Sequence, residues 1–159
     1  AQALGKQVDR RGAEGHELGG RNRALQGAVD TVEEHHQFQL LGVAARHAAR
    51  KAGTKLRRDF GEIEHLQVSQ KGPADFVSKA DQAAERTLYD ELGRDRPGWG
   101  FVLEEGGVIE GEPGKPRFII DPLDGTTNFL HGFPTFAVSL ACEYRGRLEH
   151  GVIYDPMRQ

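Results

Sequence analysis

Asp121 and Asp124 stand three positions apart in the run R-F-I-I-D-P-L-D-G-T-T over residues 117–127, and Glu104-Glu105 precede them after F-V-L. Carboxylates in such numbers suit a hard cation, and the all-oxygen set favours Mg²⁺, Mn²⁺ or Ca²⁺ over zinc. Asp124, Gly125, Thr126 and Thr127 suit a tight turn opening into a helix, whose first amides can hold an anion. The chemistry indicated is a phosphate bridged to a divalent cation. Two carboxylates about 4 Å apart repel by roughly 4 kcal/mol at an effective dielectric near 20, so three in one pocket call for a cation.

The elements that must position these groups are short strands. Phe118, Ile119 and Ile120 have the β-branched and aromatic character of a buried strand. Asp121 is expected to end it, because Pro122 removes a ladder N–H. Phe101-Val102-Leu103 predicts a second strand, ending at Glu104. Neighbouring strands would bring Glu104, Asp121 and Asp124 together, and sequential strands are neighbours about two-thirds of the time. Taken alone, D-P-L-D-G is also an ordinary turn sequence. The D-x-D-G-T pattern of haloacid-dehalogenase phosphatases is disfavoured, since both Pro122 and Leu123 separate the aspartates here.

F-V-L-E-E at 101–105 and F-I-I-D-P-L-D-G-T-T-N-F at 118–129 resemble the inositol monophosphatase family of Mg²⁺-dependent, lithium-sensitive phosphatases. K-G-P-A-D-F-V-S-K-A-D at 71–81, G-F-P-T-F-A-V-S-L-A at 132–141 and G-V-I-Y-D-P-M-R at 151–158 extend the match. They are similar to the bacterial SuhB-type members in particular. The resemblance implies an α/β fold, the layered α-β-α-β-α sugar-phosphatase architecture, present as an incomplete N-terminal part. It implies hydrolysis of inositol monophosphate by direct water attack. Glu104, Asp121, the Leu123 carbonyl and Asp124 would hold Mg²⁺. Glu104 and Thr126, the latter paired with Asp81, would orient or deprotonate the water, and the amides of Gly125 and Thr126 would cradle phosphate. Asp75 and Lys71 also match family positions. The resemblance further implies a homodimer and, for SuhB-like members, association with RNA polymerase. A 3′-nucleotidase or sugar bisphosphatase would share these ligands.

In chain order, residues 1–37 contain no aromatic residue and are expected to be a disordered or non-family leader. His35-His36 within it reads as a solvated pair. Residues 38–159 form the family-like part. Leu40, Ala44, Ala48, Ala52, Leu56 and Phe60 predict a helix over Phe38–Phe60, widened by Leu41 and Val43, with Gly61 as its C′ residue. Residues 62–77 read as irregular or short-strand structure around Gly72-Pro73. Ser78 is the expected cap of a second helix ending at Gly93, with Ala84, Leu88 and Leu92 buried and Asp81 in its first turn. Gly106 to Pro116 reads as a mobile loop, with Glu110 and Glu112 solvated. His131 reads as a solvent-facing loop residue. Alternation over Phe136–Glu143, the turn Arg145-Gly146 and Leu148–Tyr154 predict a hairpin.

Composition narrows the remaining choices. A net charge of −3 over 159 residues argues against nonspecific nucleic-acid binding through a basic surface. The basic residues of the first helix, Arg46 to Arg58, read as a solvated face. A single cysteine excludes a disulfide framework and fits a reducing cytoplasm. Cys142, in an alternating strand, reads as a small buried hydrophobe. No apolar run approaches the roughly 18 residues of a membrane span. Family members carry a further W-D-x-x-A-G motif that completes the metal site, and Trp99 in P-G-W-G cannot supply it. The expectation is a shortened chain with apolar strands exposed and activity weak or absent.

Overall fold

The structure is a computed structural model that describes residues 40–63 and 73–158. Helix α1 covers residues 40–63, followed by α2 (Pro73–Asp95), β1 (Gly100–Leu103), β2 (Gly107–Ile109), β3 (Arg117–Asp124), α3 (Thr126–Leu130), β4 (Ala137–Tyr144) and β5 (Arg147–Tyr154). The fold is α/β, with one mixed five-stranded sheet in the order β2-β1-β3-β4-β5. Only β1 and β3 run parallel; the other neighbours are antiparallel.

The buried stripe of α1 is Leu41, Ala45, Ala48, Ala49, Ala52, Leu56 and Ile63. That is a true 3.6-residue period, not the fourth-residue repeat expected from sequence. Leu40 and Val43 fall off it and are exposed. The helix runs through Gly61, which is exposed, because the next turn seats Ile63 in the core. Phe38 and residues 64–72 lie outside the described residues, as does the leader with His35-His36.

Helix α2 begins at Pro73, five residues before the expected Ser78 cap. Proline suits a first helical position, where its missing N–H has no helical partner. What read as a break is therefore a start. Asp75, not Asp81, occupies the first turn, and it pairs with Lys79 at 2.7 Å. Asp81 lies two turns further in, so the helix-dipole account of it fails. The helix also passes Gly93 and ends at Asp95. Ala84, Leu88 and Leu92 are buried, as the periodicity predicts.

Both long helices cover the same sheet face. A Cβ placed on Gly53 of α1 would lie 2.5 Å from the Tyr154 ring, and one on Gly42 would lie 2.7 Å from His150 Nε2. Tyr89 of α2 stacks edge-on with Phe101 at 4.8 Å, and Phe101 meets Phe118 at 5.4 Å. Phe118, Cys142, Ile120, Leu140 and Val138 face this core. On β5, Leu148 and Ile153 remain exposed at 68% and 80%. The segment 106–116 is not simply a loop: Gly107–Ile109 forms β2 against β1, although all three residues are exposed. Among the described residues, no helix is long and apolar enough to cross a membrane.

The β4–β5 hairpin forms as predicted, with Arg145 at φ 51° and Gly146 at φ 77° in its turn. Two left-handed residues match the right-handed twist of the flanking strands. Cys142 is free and buried, and burial pushes its thiol up to about 12. Iodoacetamide at pH 8 is expected to leave Cys142 unmodified in the folded protein and to label it in 6 M guanidinium, which mass spectrometry reads directly. Rapid labelling without denaturant would contradict the packing.

Candidate active site

The acidic groups meet because of one register. Leu103 of β1 pairs in parallel with Ile120 of β3, so the residues that follow, Glu104 just past β1 and Asp121 within β3, stand side by side. Their carboxyls share a hydrogen bond. Desolvation and the Asp121 charge raise Glu104 above the usual carboxylate range. Desolvation also raises Asp121, with the neighbouring Asp124 charge adding to it and the Glu104 hydrogen bond opposing it.

Pro122 does not end β3. The strand continues to Asp124, with the irregularity confined to the span between Asp121 and Asp124. Pro122 and Leu123 are buried there, and a bulge absorbs the missing ladder donor. The Leu123 amide donates to Asp121 Oδ1 at 3.1 Å, fixing that carboxylate in an Asx turn. Asp124 is exposed at the strand tip.

Gly125 follows at φ 96° and precedes the five-residue α3 without a side-chain cap. A Cβ there would approach Thr135 O at 3.0 Å and Phe136 Cα at 3.2 Å, both backbone atoms. Gly125→Ala is expected to cost about 1–3 kcal/mol, from the positive φ and that contact together. Urea unfolding of the two proteins checks this; an unchanged midpoint would refute it.

Asp81 reaches the same pocket from α2. It is 3% exposed. Desolvation raises its carboxyl to about 7, and the charges acting on it, Glu104, Glu105, Asp121 and Glu85, are all negative. Its Oδ1 is buried with no hydrogen-bond partner. The expected pairing with Thr126 is absent: Thr126 Oγ1 donates to the Leu123 carbonyl at 2.9 Å. Glu85, one helical turn beyond Asp81, was not anticipated. It is buried, and its Oε2 accepts the Glu105 amide at 2.9 Å. Its spacing of four from Asp81 puts both on one face of α2, and that spacing was the available signal. Of the other expected positions, Asp75 lies in an exposed ion pair on α2 and His131 is exposed. Lys71 is outside the described residues.

Among the described residues, no group of three or more His, Cys, Asp or Glu side chains is already arranged to hold a metal ion. The donor chemistry nonetheless fits a hard cation. Asp81 has an orphaned buried oxygen, and the carboxyls of Glu104 and Asp121 meet, each raised by desolvation and by a neighbouring acid. A divalent ion would relieve the repulsion among these acids.

A mixed sheet with carboxylates gathered where two parallel strands adjoin, covered on one face by helices, defines an α/β protein with an acidic centre. The chain matches the inositol monophosphatase family model over residues 38–159, and it belongs to that family. It is 60% identical over 109 residues to the inositol-1-monophosphatase of Mesorhizobium japonicum, covering 69% of this chain and 41% of that protein. It is 48% identical over 122 residues to the Nus factor SuhB of Pseudomonas aeruginosa, covering 76% of this chain and 45% of the relative. The solved extragenic suppressor protein SuhB of Bartonella henselae aligns with a TM-score of 0.65 at 54% identity. That alignment covers 74% of this chain and 46% of the solved one. The chain therefore spans under half the length of these relatives.

Proposed function

We propose that this chain carries the cation- and phosphate-binding part of a Mg²⁺-dependent phosphate-monoester hydrolase whose substrate is inositol monophosphate. The observation that carries the reading is the register of β1 on β3, which sets Glu104 and Asp121 side by side, with the buried, unpartnered Asp81 oxygen beside them. Relatives named inositol-1-monophosphatase, at 60% and 57% identity, support the substrate.

Glu104, Asp121, the Leu123 carbonyl oxygen and Asp124 would hold the cation. Bound Mg²⁺ supplies Lewis acidity at the phosphoryl oxygens and acidifies water. The protein's own groups do the rest. Glu104 accepts the proton of the attacking water, and the Thr126 hydroxyl, anchored on Leu123 O, orients that water. The amides of Gly125 and Thr126 hold the phosphate. As water's oxygen bonds to phosphorus, the ester P–O bond breaks and the inositol oxygen leaves with a proton drawn from solvent, to which Glu104 returns the one it accepted. Asp81 places a further carboxyl beside this centre.

The test joins this chain in frame to the remaining length of a relative and measures phosphate release with Mg²⁺. Inositol monophosphate, a sugar bisphosphate and a 3′-phosphorylated nucleotide are compared. Release from the first above the others is expected; preference for either of the others moves the substrate within the superfamily. Absence of Mg²⁺-dependent release from all three would overturn the reading. The relatives named Nus factor SuhB motivate a second reading, a regulatory binding protein that associates with RNA polymerase. Capture of polymerase that persists in Asp121→Asn would favour it.

A further inference from the structure

Glu85 is a buried acid close to other acids, among them Asp81. Its surroundings account for its presence. Oε2 accepts the Glu105 amide at 2.9 Å. The other oxygen lies 3.1 Å from the Cβ position of Gly106, where Leu103 Cδ1 also closes to 2.9 Å. Both carboxylate oxygens are therefore packed against the turn over residues 104–106, which leads from β1 into β2. Glu104, whose carboxyl meets that of Asp121, is the first residue of that turn.

We propose that Glu85 is a positioning residue: by accepting the Glu105 amide it locks the 104–106 turn and thereby aims the Glu104 carboxylate at the cation site. The inference rests on the proposed function for what the aim serves, but not for the bond itself. A carboxylate accepting a backbone amide is a strong, charge-assisted bond, and it anchors the turn to α2. Groups that orient metal ligands from behind typically matter 10–100-fold in affinity.

Two variants of this chain separate the bond from the charge. Glu85→Gln keeps an acceptor at the same reach and removes the charge, whereas Glu85→Asp keeps the charge and withdraws the acceptor by one methylene. Hydrogen exchange reads the Glu105 amide, and Mn²⁺ electron paramagnetic resonance reads cation affinity. Glu85→Gln is expected to stay within about threefold of wild type on both. Glu85→Asp is expected to speed exchange at Glu105 and to weaken Mn²⁺ binding about tenfold or more. Unchanged exchange at Glu105 in Glu85→Asp would overturn the proposal. So would a folded Glu85→Gln that loses Glu105 protection or Mn²⁺ binding, and this variant decides the matter if the shortened one fails to fold. If wild type takes up no Mn²⁺, the proposed function fails, and the exchange difference between the variants still decides the anchoring role.

Discussion

Asp121→Asn is expected to lower the proposed Mg²⁺-dependent phosphate release by at least about 100-fold, the scale seen when one preorganised charge-stabilising group is removed from a reacting centre. The substitution is nearly isosteric, so packing around Pro122 and Leu123 is retained. The Leu123 amide, which donates to Asp121 Oδ1, keeps an acceptor in the Asn side-chain carbonyl. What disappears is one negative charge at the point where Glu104 and Asp121 face each other. Cation affinity falls with it. The assay uses this chain continued by the remaining length of a relative, with calorimetric Mg²⁺ titration of the same pair of proteins. Turnover equal to wild type would remove Asp121 from the cation site.

Asp81→Asn is expected to stabilise the cation-free protein at neutral pH. In the fold the Asp81 carboxyl is raised from 3.8 to about 7, chiefly by desolvation and then by the Glu104 charge. Below about pH 3.8 both folded and unfolded chains hold the proton, and Asp81 contributes no pH dependence. Between there and about pH 7 the folded protein binds a proton that the unfolded chain has released, so stability falls as pH rises. Above about pH 7 the loss is complete. The shift corresponds to about 4 kcal/mol, an upper bound, since small rearrangements relieve part of it. Urea unfolding in EDTA from pH 4 to 8 checks this: the wild-type midpoint falls across the range relative to Asp81→Asn. Parallel curves for the two proteins would mean that the Asp81 carboxyl is not desolvated. Addition of Mg²⁺ is expected to narrow the difference, because a cation that binds only the folded state offsets the repulsion.

Much of the site was legible because it depends on local pattern. The apolar runs at 101–103 and 118–120 announced two strands, and their carboxyl ends announced acids. Adjacency of those strands was a fair inference from topology. The hairpin after Phe136 was equally readable, since strict alternation and a turn at Arg145-Gly146 agree. Other features depended on tertiary context that a window of residues does not contain. Pro122 reads as a terminator until the buried environment of Leu123 is seen to carry the strand past it. Gly72-Pro73 reads as a break unless the helix is known to start there. Asp81 looked like a first-turn acid because Ser78 is a good cap in isolation, and the extra turns from Pro73 onward were invisible. Glu85 carries no motif that singles it out from the other charged residues of its helix. Its burial arises only when β1 delivers the Glu105 amide to it.

The irregularity in β3 has a geometric consequence. Asp121 stands opposite Ser139 and Asp124 opposite Ala137: three steps along one chain are matched by two along its neighbour. Side chains alternate sides along a regular strand, so an odd spacing would send the two aspartates to opposite sides of the sheet. The extra residue cancels that parity and aligns both with positions on one side of β4. The motif therefore spells D-P-L-D, with two residues between its acids, because the backbone beneath it is one residue longer than its partner.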